Sequence, residues 1–249
     1  IEKKGAIFLS TPFSRKAVDR LVKFKVKAFK IGSGECNNFP LVDYIASFKK
    51  PIIISTGMNN IGSIRKAIQV IKKRKVQFAI LHTTNLYPTL YSEVRLNALI
   101  ELKKKFPNTV IGLSDHTGDN YTSYAAIAMG ASIIEKHFID KSSRKGPDVS
   151  ASVNTKKMLE LLKGINLIHK ALPGSIKPVQ REKKTANFAF ASVVSNLDIK
   201  KGDKLTKDNI WVRRPGTGDY SAGEYYSLLG KKIKKDVKKN TQIKKIHFR

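Results

Sequence analysis

Six times between Ala6 and Phe138 a short apolar run is followed by a stretch of helical length. The runs are Ala6–Thr11 (AIFLST), Val26–Ser33 (VKAFKIGS), Pro51–Thr56 (PIIIST), Val76–Asn85 (VQFAILHTTN), Thr109–Thr117 (TVIGLSDHT) and Ala131–Phe138 (ASIIEKHF). Strands this apolar are buried on both faces, the condition of a parallel sheet wrapped in helices. The intervening stretches carry the helical period. Ser63 can cap a helix with Ile64, Ala67, Ile68 and Ile71 on one face. Ser92 can cap another with Leu96, Leu99, Ile100 and Leu102. Met158, Leu161, Leu162, Ile165 and Ile168 form the stripe of a longer helix after the last run. Strand–helix alternation with no reversal signal leaves two architectures, a doubly wound sheet or a (β/α) barrel.

The ends of the runs separate the two. They stop at Thr11; at Lys30, Ser33 and Glu35; at Ser55; at Asn85; at Ser114 and His116; and at Glu135 and His137. A doubly wound sheet gathers its chemistry at one switch point, whereas a barrel brings every strand end to one mouth. Six polar ends favour an α/β fold of the (β/α)8 TIM-barrel type, with six of eight units in this chain. Either histidine alone reads more readily as a strand cap or a buried polar partner. Two at matching positions of successive units read equally well as a site.

After Leu172 the pattern changes. The expected organisation is a barrel over 1–172, a proline- and lysine-bearing linker over 173–187 (PGSIKPVQREKK and the residues after it), and a small turn-rich module over 188–249. In that module two turns, KKGD and KKNT, each precede a short strand-like run.

A net charge of +29 raises nucleic-acid binding as a question. Only ten of the 48 basic residues are Arg, and the lysines are spread over every predicted helix rather than gathered into a patch. That distribution argues for a solvated surface that also attracts anionic substrates. No apolar run approaches the roughly 20 residues of a membrane span, and the first residues show no secretory pattern. The single cysteine, Cys36, excludes an intramolecular disulfide and fits a cytoplasmic location.

The segments FKIGSGECNNFPL, ISTGM, LHTTNLYPT, IGLSDHT, EKHF and GPD, in this order, closely resemble the N-acetylneuraminate (sialic acid) synthase family. FAFASVV and RPGTGDYS extend the resemblance to the C-terminal module. The resemblance implies a phosphoenolpyruvate-binding barrel joined to an antifreeze-like (SAF) domain. It implies condensation of phosphoenolpyruvate with an N-acetylmannosamine-type sugar. It also implies a divalent ion (Mn2+, with Mg2+ or Co2+ as the other candidates) held by His116 and His137, with Glu135 as a catalytic carboxylate beside it. Thr11, Phe13, Lys30, Ser33, Ser55, Asn85 and Ser114 are then expected around phosphoenolpyruvate, and Tyr87 and Asp148 around the sugar. Arg214 corresponds to an arginine lent to a second subunit's site, which implies a domain-swapped homodimer.

Departures accompany the resemblance. Thr83 and Leu90 differ from the family's common residues and are expected away from the chemistry. VSASVN keeps Ser152 but lacks a histidine that some members have after it. Nothing corresponds to the family's first two βα units, which carry a catalytic glutamate, a lysine and a glutamine. The sequence therefore reads as N-terminally truncated, with little or no synthase activity expected from these 249 residues alone. A legionaminic acid synthase and a non-catalytic sugar-binding remnant are the alternatives. Deoxy-octulosonate phosphate synthases share the chemistry but lack the SAF module.

Overall fold

The computed structural model describes residues 4–141 and 143–249. They form two units, Ile1–Pro173 and Gly174–Arg249. In the first, strands β1 (Phe29–Ile31), β2 (Ile52–Ser55), β3 (Phe78–Thr83), β4 (Val110–Asp115), β5 (Ile133–Phe138) and β6 (Ser152–Val153) pair in parallel in chain order. Helices α1 (Arg15–Lys23), α2 (Phe39–Ser47), α3 (Ile61–Lys73), α4 (Tyr91–Val94), α5 (Asn97–Lys105), α6 (Tyr121–Ala128) and α7 (Thr155–Ala171) lie between and after them. A parallel sheet whose neighbours follow chain order has no switch point, so this is part of a barrel and not a doubly wound sheet. Its core joins the strand residues Phe29, Ile31, Ile52, Ile54, Ile80 and Ile111 to the inward helix faces.

Five of the six expected runs form strands, but Ala6–Thr11 does not. Ile7, Phe8 and Leu9 are exposed. The segment meets β1 through one ladder-like bond, Lys30 N–H donating to Ser10 O at 3.2 Å. Apolar residues make a strand only where a neighbour pairs with the backbone, and none among the described residues flanks this segment on its other side. The sixth strand is instead β6, two residues paired with His137 and Phe138.

The helix starts also move. Asn60, not Ser63, caps α3, its Oδ1 accepting from Ser63 N–H at 3.0 Å. The expected face of Ile64, Ala67, Ile68 and Ile71 is buried. Ser92 caps nothing. It lies inside the one-turn α4, and Arg95, at φ 55, breaks the chain away before α5. Leu99 and Leu102 are buried there, while Ile100 is exposed. Of the stripe expected on α7, Leu161 is the buried member and Leu162 is exposed. No helix among the described residues is long and apolar enough to cross a membrane.

In the second unit β7 (Ser192–Ser195) pairs antiparallel with β8 (Ile210–Arg213), over a core of Val193, Ile199, Leu205, Ile210, Leu228 and Val237. The KKGD and KKNT turns pass through Gly202 at φ 97 and Asn240 at φ 62, the left-handed region such turns need. The stretch expected to be a linker is partly helical. Glu182 Oε2 accepts from Val179 N–H at 2.6 Å, and α8 (Lys183–Ala189) follows. Another short helix, α9 (Tyr225–Leu228), completes the unit.

Cys36 is fully buried beside β1, and burial pushes its thiol up to about 11. At pH 8 roughly one part in a thousand is thiolate, the reactive form. The native protein should therefore resist a thiol reagent such as DTNB at pH 8 and react faster as the pH approaches 11. In guanidinium chloride it should release one equivalent at once. Rapid native labelling at pH 8 would contradict the burial.

Candidate functional site

Side chains two apart on a strand share a face. Ser114 and His116 at the end of β4 therefore point the same way, as do Glu135 and His137 on β5. The register sets Ser114 directly beside Glu135. Lys30 of β1 and Ser55 of β2 enter from the other side. The result is a cavity of about 340 Å3 whose wall includes Thr11, Phe13, Lys30, Ser33, Ser55, Asn85, Tyr87, Ser114, His116, Glu135 and His137. Asp148 is not part of that wall, but its Oδ2 lies 3.7 Å from His137 Nδ1. Phe13 and Tyr87 are exposed at the rim. Arg214 belongs to the C-terminal unit, next to β8.

One chain of contacts runs across the floor. Lys30 Nζ donates to Ser55 Oγ at 2.8 Å and pairs with Glu135 Oε2 at 3.1 Å. The other carboxylate oxygen of Glu135 accepts from Ser114 Oγ at 2.7 Å. One carboxylate thus meets the Lys30 ammonium and the Ser114 hydroxyl, with Ser55 behind the ammonium, and this fixes the cation and the hydroxyls that an anionic group would meet.

The imidazoles lie at one end of this chain. Their centroids are 5.2 Å apart, and Tyr87 stacks on His116 at 4.3 Å. His116 Nδ1 lies 2.8 Å from Thr84 O, a partner that can only accept, so Nδ1 carries the proton. Ser114 Oγ has spent its proton on Glu135 and gives none to His116 Nε2, 3.4 Å away. The Nε2 lone pair is therefore uncommitted. Burial pushes the His116 pKa down, which keeps that lone pair unprotonated near neutral pH. Such a donor pair fits a divalent ion. No group of three or more His, Cys, Asp or Glu among the described residues could hold one. An ion held at this end of the cavity would take its protein ligands from His116 and His137 and would leave its other positions to small molecules.

Sequence reasoning missed several residues here. Thr83, expected away from the chemistry, lines the cavity because it lies two residues before Asn85 at the end of β3. Gly57 is the meeting point of three segments. Its N–H donates to Ser33 Oγ at 3.0 Å, and a Cβ at this position would lie 1.8 Å from Asn85 Oδ1. Asn59 braces the same corner, its Nδ2 donating to Ser33 O at 2.9 Å and to Gly57 O at 2.7 Å. Asn85 Oδ1 is buried with no partner.

Asp115 and Lys136 alternate to the opposite side of the sheet and are both buried there, 3.3 Å apart. Asp115 also accepts from Thr117 N–H, Thr117 Oγ1, Thr122 Oγ1 and Ser123 Oγ at 2.6–2.9 Å. Lys136 Nζ donates to Thr117 O at 2.6 Å and Asp119 O at 2.7 Å. The only sequence signal for this pair is polarity at positions where a strand facing helices is ordinarily apolar.

Comparison with known proteins bears on the whole chain. Residues 1–177 match the NeuB family and residues 190–249 match the SAF domain. An N,N'-diacetyllegionaminic acid synthase of Campylobacter jejuni is 40% identical over 98% of this chain and 73% of its own length. The N-acetylneuraminate-9-phosphate synthase of Homo sapiens is 31% identical over 97% of this chain and 68% of its own. The solved structure of an N-acetylneuraminic acid synthetase from Leptospira borgpetersenii, in complex with citrate, superimposes with a TM-score of 0.70. It is 31% identical, and the match covers 74% of this chain and 65% of that one.

Proposed function

The chain belongs to the NeuB family and carries a C-terminal SAF domain; on that premise we propose that its cavity joins phosphoenolpyruvate to an open-chain 2-acetamido sugar. The products are a nine-carbon 2-keto acid and phosphate. The observation that carries this reading is the convergence of Lys30, three serine hydroxyls, Glu135 and two imidazoles on one cavity.

Carbon 3 of phosphoenolpyruvate attacks the sugar's aldehyde carbon, water adds to carbon 2, and phosphate leaves. Lys30, Ser33, Ser55 and Ser114 bind and orient the anionic substrate, with Thr11 and Phe13 beside it. Glu135 holds Lys30 and Ser114 in place from the opposite side. Asn85 lines the same cavity, its Oδ1 buried in the corner over Gly57. Tyr87 and Asp148 face the sugar, and the Nε2 lone pair of His116 together with His137 would hold Mn2+, Mg2+ or Co2+. Such an ion supplies Lewis-acid polarisation of the carbonyl. Arg214 is assigned to the site of a second copy in a domain-swapped homodimer.

N-acetylmannosamine is the acceptor this reading favours. A diacetamido sugar is the second, supported by the 40% identity to a legionaminic acid synthase. Phosphate release from phosphoenolpyruvate separates them. Release is expected to be slow from these 249 residues alone, but it should require both Mn2+ and a sugar, and the faster of the two sugars names the acceptor. Release without sugar would contradict condensation. Sugar binding indifferent to both phosphoenolpyruvate and Mn2+, with no release, would favour a binding remnant.

A further inference from the structure

The ladder between β4 and β5 ends at the pair Asp115 and Lys136. His116 and His137 are the next residue on each strand. His116 thus lies just past the last regular strand pairing, where a backbone ordinarily begins to wander. Its neighbours do not have that freedom. Lys136 holds Asp115 on one side of it, and Thr117 O and Asp119 O on the other. Asp115 in turn accepts from Thr117 N–H at 2.9 Å, and binds Thr122 and Ser123 at the start of α6. The histidine's own carbonyl accepts from Thr89 N–H at 3.1 Å.

Two apolar side chains would fill this space without the desolvation of two charges. What the charged pair adds is direction: five contacts to Asp115 and four to Lys136, their mutual ion pair counted in each, specify one path for residues 115–119. We propose that Asp115 and Lys136 are positioning residues, which set where His116 sits against His137 and Tyr87 and thereby the affinity of the histidine pair for a divalent ion. The ion affinity rests on the functional reading above; the placement of the ring does not.

The double variant D115N/K136M tests this, since it removes both charges at nearly constant volume and leaves every cavity residue in place. Three quantities are measured: unfolding by circular dichroism, Mn2+ affinity by electron paramagnetic resonance, and the metal-free ring resonances of His116. Those resonances report the ring current of the stacked Tyr87. The expected result is a cooperatively folded protein that binds Mn2+ roughly 10- to 100-fold more weakly, with the His116 resonances displaced before any metal is added. Unchanged affinity together with unmoved resonances overturns the proposal. If the unaltered protein binds no Mn2+, the ion reading falls, and the metal-free resonances alone decide the positioning role. If the double variant does not fold, S123A replaces it, because it removes one donor to Asp115 from α6 and keeps the pair. Displaced resonances with a several-fold weaker Mn2+ affinity then support the proposal, and unmoved ones overturn it.

Discussion

Truncating Lys136 to alanine should destabilise the protein by about 3–5 kcal/mol, the range found when one partner of a buried ion pair is removed. The lysine side chain is 1% exposed and Asp115 is not exposed at all, so the change leaves a carboxylate inside the protein without its counter-charge. Two carbonyls, Thr117 O and Asp119 O, lose their donor in the same change. Four hydrogen bonds to Asp115 survive, but they deliver no net positive charge to a carboxylate inside the protein. Chemical denaturation should report a lower midpoint with an unchanged slope. K136M should cost less than K136A because it keeps the packing, and D115N/K136M less again because no orphan charge remains. If K136A unfolds within 1 kcal/mol of the unaltered protein, the pair is not the buried network its geometry describes.

The same two residues mark where sequence reasoning stopped. Ser114, His116, Glu135 and His137 were legible because a strand's period of two, applied to polar ends of apolar runs, aims them at one mouth. Asp115 and Lys136 sit inside the same motifs, and the same alternation sends them the other way. Their burial depends on hydroxyls from the 117–123 segment, a contact that no local pattern encodes. The barrel was legible for a similar reason, since the order of six βα repeats allows few alternatives. Residues 6–11 have the composition of a strand without its pairing, because composition reports what a strand is made of and not whether a neighbour pairs with it. Thr83 differs from the family's common residue, and its position two before Asn85 puts it on the cavity side. Gly57 was hidden for another reason. A missing side chain gives no signal until the atoms that occupy its space are known.

Those atoms make Gly57→Ala the sharpest perturbation of the cavity that leaves its chemistry intact. The added methyl carbon would lie 1.8 Å from Asn85 Oδ1, 2.9 Å from Asn85 Cγ and 2.9 Å from Ser33 Oγ. Gly57 does not lie in the left-handed region, so the substitution strains no dihedral and its effect is steric. The neighbour that yields is the far end of Asn85, a side chain that can rotate, so the fold should lose only about 1 kcal/mol, the low end of overpacking costs. The amide has to leave the Gly57 corner, and the adjoining open space is the cavity it lines. Ser33 loses its place as acceptor for the Gly57 N–H in the same step. Each hydrogen bond lost to a charged substrate group costs about 1.5–3 kcal/mol, about ten- to a hundred-fold in affinity, and two such groups move here. Calorimetric titration with phosphoenolpyruvate should therefore show affinity weaker by about a hundred-fold, while the melting temperature changes by a few degrees. Adding Asn85→Ala to the variant supplies the control. It restores room for the methyl and should recover part of the affinity, with the remaining deficit measuring what the amide itself contributes. If Gly57→Ala binds phosphoenolpyruvate as the unaltered protein does, then Ser33 and Asn85 do not hold the substrate, and the anion sits elsewhere in the barrel mouth.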